Sequence, residues 1–218
     1  MELENVLMAH PDVAEAAVIG VAEEIGVIVP LGAWVLQQAC RDAANWPDQI
    51  GVAVNLSSAQ FKGVALVQTV VGALEAARLA PTRLELEITE SVLLADNDST
   101  LASLNALRAL GVRIAMDDFG TGYSSLSYLR AFPFDKIKID RSFIQDIDER
   151  GDCAAIVRAV AGLGAALGMV TTAEGVETAE QLRQIRAHGC TEVQGYFFGR
   201  PCPADALRSR FEQKTAAA

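Results

Sequence analysis

Histidine and cysteine are scarce in this chain, and their scarcity narrows its chemistry. The 218 residues hold two histidines and four cysteines. His10 and His188 read as surface or helix-end residues. Cys40, Cys153, Cys190 and Cys202 make no CxxC pair and no metal-finger spacing, which fits a reduced, cytoplasmic protein. Positive charge is also short. Lys and Arg number 18 against 28 Asp and Glu, a formal net charge of −10. No basic stripe is left for a DNA or RNA backbone. Apolar runs long enough to span a membrane are lacking too, since the stretch 154–170 carries Arg158 and several glycines. The opening MELENVLMAHPD has no basic segment before an apolar one, so it does not read as a secretory signal.

What is present points to a water-soluble α/β protein. The hydrophobic fraction is 51% and the aromatic fraction only 6%, so the core is expected to be built from Ala, Val and Leu. The length suits one domain with a large core. From residue 24 onward the pattern alternates. A helix is expected near 31–45, stopping before Pro47, then a strand at 50–56, a helix near 62–79 and a strand at 83–89. A helix near 98–110, a strand at 112–117 and the loop DFGTGYSS follow. Strand 134–140, helix 152–167, strand 169–174, helix 178–188, strand 191–197 and a helix near 203–213 complete the series. Alternation of this kind signals parallel strands covered by helices. Six good strands are legible, and a closed barrel of this type needs eight.

Six of the strand ends carry polar or acidic residues. They are Asn55, Glu87, the pair Asp117–Asp118, Lys138, Glu174 and Gln194, separated by 32, 30, 21, 36 and 20 positions. Each gap is about one strand plus one helix, so a barrel of parallel strands brings these side chains to one rim. Carboxylates, amide oxygens and one lysine, with no thiol and no imidazole, suit Mg²⁺ or Mn²⁺ acting on a phosphate ester. Each residue alone has a plainer reading. Asp117–Asp118 before Phe119 and Gly120 is an ordinary strand-ending turn, Asn55 a helix cap, Lys138 a solvent-facing strand residue and Glu87 an outward one. Their joint order overturns those readings.

The segments NLSSAQF (55–61), ELEITES (85–91), DDFGTGYSSL (117–126), KIDRSFI (138–144), AEGVET (173–178) and QGYFFGRP (194–201) together resemble the EAL-domain family. Its members are bacterial phosphodiesterases that open cyclic di-GMP to a linear dinucleotide. The resemblance implies a TIM-type (β/α) barrel and a two-metal site. It makes Asn55, Glu87, Asp117 and Asp118 metal ligands, with Glu174 and Gln194 completing the set or holding its waters. Lys138, with Glu174, is implied in catalysis, orienting the attacking water. Glu90 is expected to steady the loop containing Gly120, Thr121 and Gly122 so that Asp118 points inward. Tyr196, Arg200 and Pro201 are the candidates for substrate contact; the aromatic residues there also read as core.

The family's Glu-Ala-Leu tripeptide, whose glutamate is a metal ligand, occurs nowhere in the 218 residues. The expectation is therefore an incomplete barrel over residues 23–218, its first strands and helix missing or replaced. Residues 1–22 resemble instead a fragment of the C-terminal domain of adenylate-forming enzymes such as acyl-CoA synthetases. Glu15, within Glu15-Ala16-Ala17, is a conceivable substitute ligand only 40 positions before Asn55. An incomplete barrel leaves strand edges open, so marginal stability or a homodimer through that edge is expected. Three functions stay open: weakened hydrolysis of cyclic di-GMP, nucleotide or protein binding without hydrolysis, and a remnant with no task.

Overall fold

The computed structural model describes residues 22–61, 65–95, 97–121, 129, 132–147, 151–204 and 206–207. Six strands alternate with helices, as expected: β1 (Val52–Leu56), β2 (Leu84–Thr89), β3 (Arg113–Phe119), β4 (Lys136–Ile139), β5 (Val170–Ala173) and β6 (Glu192–Val193). They form one sheet in chain order, and the β3–β4, β4–β5 and β5–β6 pairs are parallel. Right-handed strand–helix–strand crossovers give this order when each new strand is laid beside the last. Glu15 and Gly122 fall outside the described residues.

The helices are α1 (Ile28–Ala43), α2 (Ala65–Ala77), α3 (Glu90–Ala95), α4 (Asn97–Ala109), α5 (Arg141–Gln145), α6 (Gly151–Leu167) and α7 (Ala179–Ala187). Two of them, α3 and α5, were not expected; each is a turn or so of helix set directly after a strand end. A window that short carries no helical period. In α5 the Asp140 carboxylate accepts from the Ser142 backbone N–H at 3.0 Å, fixing where the helix starts. α7 begins with a capping box, Thr178 and Gln181 each accepting from the other's backbone N–H. None of the described helices is long and apolar enough to cross a membrane.

The chain divides into two compact units. The first holds residues up to Glu87, Ala95–Arg113 and Pro201 onward. Here α1 packs against α2 and β1, burying Leu36, Cys40, Val54, Val70 and Leu74. The Arg83 guanidinium gathers four carbonyls at the end of α1 and in the turn after it, two of which, Ala43 and Pro47, also accept from the backbone N–H groups of Trp46 and Ile50. It donates to the oxygens of Ala43 (2.7 Å), Trp46 (3.2 Å), Pro47 (3.1 Å) and Ile50 (2.9 Å). Helix C-termini carry partial negative charge and orphan carbonyls, so a cation with several donors fits there.

The second unit comprises Ile88–Leu94 and Ile114–Arg200. β4 and β5 pair from Lys136↔Val170 to Ile139↔Ala173. Ile114, Met116, Ile137 and Ile139 are almost wholly buried. β6 is much shorter than the expected 191–197. After Val193 the chain leaves the ladder: the Val176 N–H donates to the Gln194 carbonyl and the Phe197 N–H to the Val176 carbonyl. Those bonds replace further strand pairing with a clasp between two strand-end loops.

Candidate active site

The centre of the second unit's strand ends is Lys138, whose residue is only 1% exposed. Its Nζ lies 3.0 Å from Asp117 Oδ1 and 2.6 Å from Glu174 Oε1. A lysine this buried is stable as an ammonium only with carboxylates in contact. β3 and β4 carry Asp117 and Lys138, Glu174 directly follows β5, and the parallel register brings the strand ends level. The solvent-facing reading of Lys138 is thereby excluded.

Asp118 joins the cluster by a distortion of β3. Met116 pairs with Ile137 and Phe119 with Ile139, so three steps along β3 match two along β4. The extra residue is a β-bulge, with Asp118 at φ +52°. Consecutive strand residues ordinarily point to opposite faces, and a bulge re-aims them. One carboxylate oxygen each from Asp117, Asp118 and Glu174 accordingly lie within 4.8 Å of one another. Asp118's own N–H donates to Asp117 Oδ1 at 3.0 Å, and its carbonyl accepts from the Thr121 hydroxyl at 2.9 Å. Gly120 follows at φ +100°, where an added Cβ would come 2.9 Å from the Phe143 ring of α5.

The donor set fits a divalent cation. Three carboxylates and one ammonium leave two negative charges, and the ligands are hard oxygens at a spacing a single ion can span. The other expected residues stand on several elements. Gln194 is exposed, its N–H bonded to the Ala173 carbonyl at the end of β5. Glu90 is buried at the first position of α3. Asn55 stands half-buried on β1 and Glu87 buried on β2, both in the first unit. Tyr196 and Arg200 are exposed, with the guanidinium carbon 4.8 Å from the tyrosine ring centre. Pro201 is exposed as well.

One pair of charged residues near the cluster escaped the sequence reading. Lys136, two residues before Lys138 and thus on the same face of β4, lies with Nζ 2.8 Å from Glu192 Oε2. The Thr172 hydroxyl donates to that same oxygen at 3.0 Å. The alternation Lys136-Ile137-Lys138 was the available signal, since two lysines on one face of a buried strand each require an anion.

The chain belongs to the EAL-domain family, whose model matches residues 7–201. The uncharacterized protein y4lL of Sinorhizobium fredii is 55% identical over 95% of this chain and 26% of its own length. The chain therefore spans about a quarter of that relative. MucR of Pseudomonas aeruginosa, a bifunctional diguanylate cyclase/cyclic di-GMP phosphodiesterase, is 46% identical over 85% of this chain and 28% of its own. A solved structure of the PaMucR phosphodiesterase in complex with c-di-GMP superposes with a TM-score of 0.85 at 44% identity, covering 91% of this chain and 83% of that one. The manganese/cy-diGMP complex of Klebsiella pneumoniae BlrP1 superposes with a TM-score of 0.77 at 31% identity, covering 88% and 50%.

Proposed function

We propose that this domain carries the family's reaction, hydrolysis of cyclic di-GMP to linear pGpG, in a form weakened in these 218 residues. The observation that supports it most is the Asp117–Asp118–Glu174 cluster with Lys138 at its base. Relatives at this identity hold the same nucleotide, one of them with manganese.

In this reading Asp117, Asp118 and Glu174 would hold a divalent cation, Mg²⁺ or Mn²⁺, and Asn55, Glu87 and Gln194 are the further ligands that the resemblance to the family implies. When bound, such cations lower the pKa of the attacking water and offset charge on the attacking and leaving oxygens. The chain's own part is placement. Lys138, fixed by two carboxylates, presents a donor that orients the water for in-line attack and offsets the phosphate charge. The water oxygen bonds to phosphorus as the bond from phosphorus to the 3′ oxygen breaks. Glu174 accepts the proton of the water, and the 3′ oxygen leaves as a hydroxyl after protonation by solvent. Glu90 steadies the loop after Asp118, and Tyr196 and Arg200 offer a stacking and cationic surface to the nucleotide.

The absence of a Glu-Ala-Leu tripeptide from the 218 residues favours a second reading, binding without turnover. Loss of one carboxylate from a two-metal set lowers metal affinity and spoils its geometry. Incubation with cyclic di-GMP and Mn²⁺ or Mg²⁺, followed chromatographically, separates the two. Slow product formation that vanishes in Asp117→Ala supports hydrolysis. Micromolar nucleotide binding without product supports the second reading, and neither binding nor product overturns both.

A further inference from the structure

β4 places two lysines on one face, two residues apart and about 7 Å from each other along the strand. Each is in contact with a carboxylate. Lys138 engages Asp117 and Glu174; Lys136 engages Glu192. The register shows why this division needs a cause. Lys138 pairs with Thr172, and Thr172 pairs with Glu192, so the three stand in one row across β4, β5 and β6. Glu192 is then two strands, about 10 Å, from Lys138 at the Cα atoms, within the combined reach of the two side chains. Left to itself, its carboxylate competes with Asp117 and Glu174 for the Lys138 ammonium.

Two groups draw it the other way. Lys136 and the Thr172 hydroxyl converge on the same oxygen, Oε2, at 2.8 and 3.0 Å. Lys136 lies one row further from the strand ends than Lys138, so its pull turns the carboxylate away from the cluster. We infer that Lys136, acting through Glu192, is a positioning residue for Lys138: it occupies a nearby carboxylate that would otherwise draw the Lys138 ammonium off Asp117 and Glu174. The inference concerns where Lys138 points; its consequence for hydrolysis rests on the function proposed above.

The chain has only four lysines, Lys62, Lys136, Lys138 and Lys214, so their ammonium groups are resolvable by ¹H–¹⁵N NMR on lysine-labelled full-length protein. Lys→Arg variants assign each signal. In the native chain the Lys138 signal is expected to exchange slowly with water. Lys136→Met is expected to move it, and Lys136→Met/Glu192→Leu to return it to the native position. A Lys138 signal indifferent to Lys136→Met overturns the inference. So does a displaced signal that the double variant fails to restore, because the effect would then be one of packing. If Lys136→Met does not fold, Lys136→Gln carries the same expectations. Where the native chain turns over cyclic di-GMP, turnover is expected to fall about tenfold in Lys136→Met and to recover in the double variant. Turnover absent from every protein, with the NMR pattern as expected, sinks the hydrolytic reading and leaves the positioning role standing.

Discussion

Asp117 and Asp118 are consecutive in a β-strand, yet their carboxylates reach the same cluster. Regular pleating would send them to opposite faces. The extra residue between the Met116–Ile137 and Phe119–Ile139 pairs removes that constraint. It also holds Asp118 at φ +52°, a region costly for any residue with a Cβ.

This bulge separates folding from metal binding in one substitution. Asp118→Gly relieves the backbone strain and removes one carboxylate. The melting temperature in chelator is expected to hold or rise by a few degrees, corresponding to about 1 kcal/mol. The additional rise on adding Mn²⁺ is expected to shrink. A variant that melts lower in chelator and keeps the full manganese response contradicts the assignment.

Lys138 is in contact with the Asp117 and Glu174 carboxylates, and all three residues are buried. Lys138→Met leaves two adjacent carboxylates without it, at a cost of about 3–5 kcal/mol. Urea denaturation in chelator measures that loss. Mn²⁺ is expected to restore more stability to this variant than to the native chain, since the metal then replaces the missing charge.

Gly175 follows Glu174 at φ +72°, and an added Cβ would lie 2.5 Å from the Arg141 Cβ. Gly175→Ala forces either the turn or α5 to shift. We expect a loss of about 2–4 kcal/mol in denaturant unfolding together with weaker manganese binding by calorimetry. Gly151→Ala is the control, as its Cβ would meet nothing within 4 Å.

Arg83 donates to four backbone carbonyls at the end of α1 and in the turn beyond it. Arg83→Met removes a donor shared by four carbonyls, of which those of Ala43 and Pro47 keep the N–H groups of Trp46 and Ile50. A destabilisation of about 3 kcal/mol is expected, read from the urea midpoint. The Asp48 contact, at 3.5 Å to a fully exposed carboxylate, contributes little. Asp48→Ala is therefore expected to leave the midpoint unchanged.

Burial pushes the Cys40 and Cys190 thiols up to about 11 from an ordinary 9.0, with a hydrogen bond to Thr171 partly opposing the shift at Cys190. A raised thiol pKa means the folded state holds its proton more tightly than the unfolded chain. The resulting stability is present below pH 9 and lost as pH rises toward 11. Thermal melts across that window are expected to fall less steeply for Cys190→Ser than for the native chain. Equal slopes would remove Cys190 as a contributor.

Much of the site was legible in the sequence because a parallel strand–helix repeat fixes where strand ends must lie. The expected strands at 83–89 and 169–174 match β2 and β5 to within a residue at each end. Lys138 and Glu174 met Asp117 as that spacing required. The expected strand 112–117 stopped short of Asp118 and Phe119, because an acidic pair before a glycine looks like a turn in any one-dimensional reading. β6 was read five residues too long. The polar-aromatic run from Gln194 to Phe198 has strand character, but beyond the Gln194 N–H, which still bonds to Ala173, the Gln194 carbonyl and the Phe197 N–H turn to Val176.

The amino-acid sequence determined the family, the α/β alternation and the residue types at the strand ends, since hydrophobic period and segment length are local properties of a chain. Tertiary structure alone decided that adjacent aspartates share one site and that Lys136 answers to Glu192 while Lys138 answers to Asp117 and Glu174. Both depend on register between strands far apart in sequence. Register is set when side chains on a shared face pack and pair, which no single strand can specify by itself.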